Sequence, residues 1–378
     1  LQGYQGLVKN EFFQSIGPAY GFFAFTFLLN VVIICFGIRK GIEKVCKYSL
    51  PVLFLFAVVL MVRVLCLGTP YAAQPEYNVN NGLGFLWNPD WSALKNPEVW
   101  LAATGQIFFT LSCGIGVILT YASYLTKNDD VALSGLTAAS ANEMTEVILG
   151  GSIIIPAAFA FFGPAGTRQV VEGGAFNLSF VTMPLVMQQI PGGNLFGFLW
   201  FMLLFLAGVT SSISLAQPAV AFLEDEFRLS KKRASLIFAA AVFILCQGPV
   251  FLLGKGVVDE LDFWGGTFCL VVFATVETIL FAWVFGMEKA WTELHVASDI
   301  TIPRVYRYII KYITPVFLLF ILGSWVWEKL ASVQKVSHDP NASYITGTRI
   351  LLLAVFLVLA ILVKIAWRRK KQKGGEAV

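Results

Sequence analysis

The sequence predicts an all-α, multispan membrane protein, and three observations carry that prediction. Of 378 residues, 57% are hydrophobic and only 13% charged, about half the charged share of a soluble chain. The apolar residues gather in runs that reach the 20 or so needed for a helix to cross a hydrocarbon core of about 30 Å. Such runs are too long for barrel strands, and helices satisfy their own backbone in lipid.

Nine spans are predicted, at 16–37, 49–68, 98–126, 132–163, 193–223, 234–253, 260–286, 303–328 and 343–367. The links between them set an orientation. Taking alternate links from 39–47 to the tail places 19 of the 27 Lys and Arg on one side, which the positive-inside bias makes cytoplasmic. The basic tail at 364–378 is then cytoplasmic and residue 1 extracellular. Nine is an odd number, and the chain opens on Leu1 with a polar, aromatic segment instead of a signal peptide. An odd number of preceding spans is therefore expected to be missing. The chain is expected to form one transmembrane domain over 1–378. The outer segment 164–192 is apolar for a loop, with Phe176, Phe180, Met183 and Leu185, and is expected to fold back as an extracellular lid.

Other classes fit poorly. A net charge of +4 is too small to suggest nucleic acid, and the six Cys lie in or beside apolar runs as small fillers. His295 and His338 fall in links, so no Ser–His pair can form in the membrane. There is no HExxH, Walker loop or strand-borne GxGxxG. An enzyme is not expected.

Polar groups inside spans mark the candidate sites, because each is costly in hydrocarbon unless satisfied. In the third span, Thr110, Ser112, Gly114 and Gly116 lie at the middle, where two glycines weaken the helix. An unwound helix here would free carbonyls for a cation; close packing of small residues is the alternative. In the fourth span, Asn142 and Glu146 share a face and Glu143 neighbours Glu146, unless this is simply a helix end near water. In the fifth, Thr210, Ser211, Ser212 and Ser214 crowd less than two turns before Gln217 and Pro218. Each hydroxyl can bond its own i−4 carbonyl, or together they can line a cavity for a hard cation such as Na⁺. Acidic rims stand at 224–226 and at Asp259, Glu260 and Asp262, either solvated or pairing when a pathway closes, with no partner evident in the sequence. Glu277 lies deep in the seventh span with no assigned role.

These stretches resemble the neurotransmitter:sodium symporter family, particularly its bacterial amino-acid members such as the leucine transporter. The matching segments are RKGIEK (39–44), GQIFFTLSCGIGVILTYASY (105–124), SGLTAASANEMTEVILGGSIIIPAAFAFFG (134–163), AGVTSSISLAQP (207–218), FLEDEF (222–227) and DELDFWGGTF (259–268). The resemblance implies the fourth to twelfth spans of the inverted-repeat leucine-transporter fold, with one helix broken mid-membrane and three spans absent. It also implies roles. Thr110 and Asn142 match the first sodium site; Ala207, Thr210 and Ser211 match the second. Phe109, Thr110, Ser112, Ile115, Ser211 and Leu215 match the substrate pocket, though Ile115 replaces a Phe of the leucine transporter. Glu146 matches the carboxylate that replaces chloride in chloride-independent members, giving charge balance beside Na⁺. Gln106, Phe109 and Asp262 match the outer gate; Tyr124, Gln217 and Asp225 match the inner one.

The expected function is sodium-coupled symport of a neutral apolar or aromatic amino acid at the cell membrane, independent of chloride. Its partners would be the amino acid, Na⁺ and the bilayer, with no nucleic acid or organic cofactor. Two alternatives remain open: a proton-coupled permease of the same fold using Glu143 or Glu146, and a non-transporting membrane protein that binds an amino acid.

Overall fold

The computed structural model describes residues 15–332 and 341–374, and every regular element among them is helical. His338, residue 1 and the last four residues of the predicted tail lie outside the described residues. Helix α1 (Gly17–Gly37) starts on Pro18, where a missing N–H costs nothing. At Gly37 (φ 77°, ψ −169°) the chain turns, and one wide turn, Ile38–Ile42, leads into α2 (Glu43–Leu65). A Cβ on Gly41 would strike the Ile33 carbonyl; in a straight helix those residues would sit about 12 Å apart, so the chain doubles back here.

Asn78 caps α3 (Val79–Trp87), accepting from the Asn81 N–H at 2.8 Å. Asn96 does the same for α4 (Pro97–Thr110) through the Glu98 N–H at 2.9 Å. A break separates α4 from α5 (Val117–Ala122). Asp130 then caps α6 (Val131–Glu143), accepting from the Leu133 N–H at 2.8 Å. Its other oxygen accepts from the Asp299 N–H at 2.7 Å. The Asp299 and Leu133 amides hold the Asp130 carboxyl below the usual carboxylate range.

The helix widens over Met144–Gly150 and continues as α7 (Gly151–Glu172), broken at Gly163 (φ 66°). Then come α8 (Gly174–Asn177), α9 (Met183–Gln189), α10 (Gly193–Phe227), α11 (Lys231–Phe251) and α12 (Val257–Leu261). The described chain closes with α13 (Cys269–Ile279), α14 (Met287–Leu294), α15 (Val305–Tyr308), α16 (Thr314–Ser332) and α17 (Ala342–Gly374).

Seven helical runs among the described residues are long and apolar enough to cross a membrane, against nine predicted spans. The predicted spans 16–37 and 49–68 fall in one run, Gly17–Leu65, because helical bonding continues through the bend at Gly37. The predicted span 98–126 is divided into α4 and α5, each too short alone. Two further expectations change. Residues 164–192 are helical for most of their length instead of a loop, since an apolar segment packed into protein must satisfy its backbone locally. The tail predicted from 364 is still helix as far as Gly374, its Lys, Arg and Gln being good helix formers.

The chain divides into two compact units, residues 1–92 with 135–214 and residues 93–134 with 215–378. In the first, Leu60 and Val64 of α2, Ile153 and Ala157 of α7, and Met183, Val186 and Met187 of α9 form a buried cluster. Of the apolar residues grouped at 176–185, Met183 is therefore core, whereas Phe176 and Leu185 are exposed. The Trp200 indole N–H reaches the Ser179 carbonyl at 2.9 Å. In the second unit, Leu101 of α4, Val271 of α13, and Leu318, Ile321 and Trp325 of α16 form the cluster, flanked by Phe263 and Phe268.

Helices approach closely where a glycine allows it. A Cβ at Gly82 of α3 would lie 2.7 Å from the Pro156 Cα and 3.0 Å from the Phe159 Cβ. Replacing Gly82 with Val should therefore destabilise the protein by about 1–3 kcal/mol, the usual cost of overpacking. Gly135→Ala, whose added methyl meets nothing within 4 Å, should stabilise by up to about 1 kcal/mol. Thermal unfolding in detergent checks both; a Gly82 variant as stable as the parent would refute the close packing.

Candidate functional site

The most distinctive geometry in the second unit is the break after α4. The Ser112 N–H bonds the Phe109 carbonyl at 3.0 Å and the Cys113 N–H bonds the Phe108 carbonyl at 2.8 Å. This crossed pair is a Schellman ending, which needs a left-handed residue between them. Ser112 supplies it at φ 56°, although a residue with a Cβ pays roughly 1–2 kcal/mol for that conformation. Gly114 and Gly116 follow, both at φ 75°. The ladder resumes at Gly116, whose carbonyl accepts from the Thr120 N–H at 3.0 Å and its hydroxyl at 2.8 Å. The carbonyls of residues 110–115 lie outside the helical ladder.

This break is seated on α13. A Cβ at Gly114 would lie 2.7 Å from the Leu270 carbonyl oxygen and 3.0 Å from the Ala274 nitrogen. The Gly114 N–H donates to Glu277 Oε2 at 3.1 Å. Residues 270, 274 and 277 fall on one face of α13. Glu277, unassigned by the sequence, thus braces the unwound segment. Of the predicted pocket residues here, Thr110, Ser112 and Ile115 are half-buried, whereas Phe109 and Leu215 are exposed.

The first unit holds the remaining ligand candidates. Asn142 and Glu146 are half-buried, and the Asn142 amide nitrogen lies 3.5 Å from Glu146 Oε2. Glu143, one residue beyond Asn142, is exposed and separate from this pair. Thr210 is buried, its hydroxyl donating towards the Leu206 carbonyl at 2.9 Å and the Ala207 carbonyl at 3.1 Å. The structure so joins Ala207 and Thr210 by a contact that a cation could replace. Ser211 beside them is exposed. Sequence reasoning missed Asn30: the Ser212 hydroxyl donates to Asn30 Oδ1 at 2.6 Å, and the Asn30 amide donates to the Thr26 carbonyl at 2.8 Å. An amide in the middle of an apolar helix was the available signal.

The residues predicted to form gates are differently placed. Asp262 is exposed and heads the wide turn Asp262–Phe268, on which α4 packs where Gly105, next to Gln106, meets Thr267. At the other gate, Tyr124 is exposed and Asp225 exposed on α10. Gln217 is 0% exposed, and neither its amide oxygen nor its nitrogen has a hydrogen-bond partner among the described residues. Its neighbour Pro218 is the group that a Cβ at Gly116 would meet, at 3.7 Å. The acidic rims do find partners. Glu260 takes a bidentate pair from Arg349 at 2.8 Å and accepts from the Trp264 indole at 2.9 Å, and Glu226 lies 3.8 Å from Lys370. The two ion pairs are invisible to spacing arguments because they join residues about 90 and 145 positions apart.

Comparison with known proteins places this geometry among relatives. A model described as the sodium:neurotransmitter symporter family matches residues 7–370. An uncharacterized sodium-dependent transporter of Methanocaldococcus jannaschii is 31% identical over 81% of this chain and 61% of its own length. Sodium-dependent nutrient amino acid transporter 1 of Drosophila yakuba is 26% identical over 84% of this chain and 49% of its own. Among solved structures, that of MhsT in complex with L-phenylalanine superimposes with a TM-score of 0.69 at 29% identity, covering 80% of this chain and 66% of that one. The chain thus spans about half to two thirds of the length of these relatives.

The Gly114–Glu277 bond has a direct test. A hydrogen bond to a charged group contributes about 1.5–3 kcal/mol, so Glu277→Leu should raise amide hydrogen exchange at Gly114 about 10- to 100-fold. Exchange in α11 should stay unchanged, and Glu277→Gln should fall between. Parental exchange at Gly114 in the Leu variant would refute the bracing role.

Proposed function

The chain belongs to the sodium:neurotransmitter symporter family, and on that premise we propose sodium-coupled symport of a neutral apolar or aromatic amino acid by alternating access. It is a multi-pass membrane protein of a transporter family, not an enzyme. The observation that carries the proposal is the broken helix between α4 and α5. Three left-handed residues, Ser112, Gly114 and Gly116, take main-chain carbonyls out of their ladder inside an apolar span. Carbonyls released in this way suit a hard cation and a substrate ammonium group.

The residue roles proposed are those that the resemblance to this family implies. Thr110 and Asn142 would hold one sodium ion; the Ala207 carbonyl with Thr210 and Ser211 would hold the other. Phe109, Thr110, Ser112, Ile115, Ser211 and Leu215 would enclose the substrate, and the L-phenylalanine bound to MhsT supports an apolar or aromatic side chain. Glu146, 3.5 Å from the Asn142 amide, would supply beside Na⁺ the negative charge that chloride otherwise brings, making transport chloride-independent. Gln106, Phe109 and Asp262 would close the outer side, and Tyr124, Gln217 and Asp225 the inner. The buried, unpartnered amide of Gln217 supports such a role, since a gate partner would satisfy it.

The same proposal has nine crossings. Gly37 divides the Gly17–Leu65 run into two, and α4 with α5 makes one interrupted span. The links at 39–47, 228–233 and 289–311 would face the cytoplasm of a cell-membrane protein.

Uptake by the full gene product in proteoliposomes tests this function. Replacing Na⁺ with choline at fixed pH should abolish uptake; undiminished uptake would instead indicate proton coupling. Thr110→Ala, Asn142→Ala and Thr210→Ala should each weaken sodium activation about 10- to 100-fold, the worth of one bond to a charged group. Unchanged sodium dependence in all three would sink the assignment. Added chloride should leave the rate unchanged; a strong rise would remove Glu146 from its role.

A further inference from the structure

A second hollow lies where the apolar run of α13 ends. Wide turns continue it over Leu280–Gly286, and at Gly286 (φ 95°, ψ 126°) the chain breaks into α14, which opens with Met287, Glu288 and Lys289. The returning chain passes alongside at Ile309–Ile313 before the apolar helix α16. The Trp283 indole N–H donates to the Lys311 carbonyl at 2.6 Å and ties the two segments together. Between them is a cavity of about 420 Å³ whose lining includes Trp283, Phe285, Gly286, Lys289, Lys311 and Tyr312.

The charges in this hollow do not cancel. Glu288 is on its rim but is paired with Arg307. Lys289 and Lys311 make no ion pair among the described residues. The Lys311 ammonium sits 5.3 Å from the centre of the Tyr312 ring, which attracts a cation but cannot neutralise it. The hollow also sits at a boundary: LFAWVFG (280–286) is wholly apolar, and charge begins at Glu288. Trp283 and Tyr312 are 47% and 53% exposed, as expected of rings at the membrane–water interface. Lys289 is exposed and Lys311 half-buried, so both ammonium groups are open to an anion, and the anion a bilayer supplies at such a boundary is a lipid phosphate.

We infer that this hollow binds the headgroup phosphate of an anionic phospholipid. Lys289 and Lys311 are its cations, and Trp283 and Tyr312 pack against the glycerol and upper chain of the lipid. This site depends on the membrane location of the protein and not on sodium-coupled transport, so either can fail without the other.

Native mass spectrometry of the purified full chain, titrated with phosphatidylglycerol or phosphatidylcholine, tests the inference. One phosphatidylglycerol should be retained per chain at least tenfold more tightly than phosphatidylcholine. A basic residue near the membrane surface is worth about fivefold, so Lys289→Gln with Lys311→Gln should cost roughly thirtyfold and each single change about fivefold. The single variants keep the test available should the double variant fail to fold. Lys231→Gln with Lys232→Gln, outside the hollow, should retain the parental preference. Equal retention of the two lipids, parental retention in the single and double variants, or displacement by millimolar inorganic phosphate would each overturn the site.

Discussion

The bond from the Gly114 N–H to the Glu277 carboxylate is the contact on which the candidate site depends. Main-chain groups in hydrocarbon must find partners inside the protein, and a helix does this automatically. Breaking a helix inside a span gives that up over residues 111–116, so the exposed amides and carbonyls need other partners. The carboxylate on α13 takes one amide and fixes the segment in space. It can do so because Gly114 has no Cβ: any side chain there would collide with the Leu270 carbonyl and the Ala274 nitrogen. Left-handed backbone, close approach and charge are thus three requirements met by one glycine and one glutamate.

The same logic governs the hydroxyls of α10. Thr210 returns its proton to the carbonyls one turn back, and Ser214 does the same to the Thr210 carbonyl at 2.9 Å. These bonds keep the helix satisfied when no ion is present, yet they are individually weak. Interhelical and side-chain bonds in membrane proteins average about 0.6 kcal/mol. A cation bound as proposed at the Ala207 carbonyl and the Thr210 oxygen would displace only that modest contact. Ser212 has a second acceptor besides the Val209 carbonyl at 3.0 Å, because its hydroxyl also reaches Asn30 Oδ1 on α1 at 2.6 Å. The result is a polar tie between α1 and α10 within the first unit, next in sequence to the proposed ligands Thr210 and Ser211.

Much of this was legible in the sequence where the signal is local. Gly114 and Gly116 one residue apart predicted the break, and the i, i+4 spacing of Asn142 and Glu146 predicted their contact. What stayed hidden depends on separations that spacing cannot express. Glu277 lies 163 residues from Gly114 and Asn30 lies 182 from Ser212, so an isolated acid and an isolated amide gave no partner. Ser112 at φ 56° was invisible for a different reason: serine rarely adopts that conformation, and only the Schellman geometry of the preceding turn requires it. The segment 164–192 read as a loop because glycine pairs bound it, whereas its buried Met183, Val186 and Met187 are held in the core by helix.

Gln217 shows where this economy stops. This amide is fully buried, and neither its oxygen nor its nitrogen has a partner among the described residues. An unmet buried polar group costs about 1–3 kcal/mol, and a methionine of similar size would fill the same space without that cost. Helix propensity offers no reason for the amide either, since methionine and glutamine are about equally good helix formers. A cost with no return in the static fold implies a return in another arrangement of the same residues. Proteins tolerate such penalties where function needs a group held ready. Pro218, which follows Gln217 in the sequence, is the group that a Cβ at Gly116 would meet, at 3.7 Å. A conformation that brings a donor or acceptor to Gln217 would gain what the present one lacks, which is what the proposed inner-gate role asks of it.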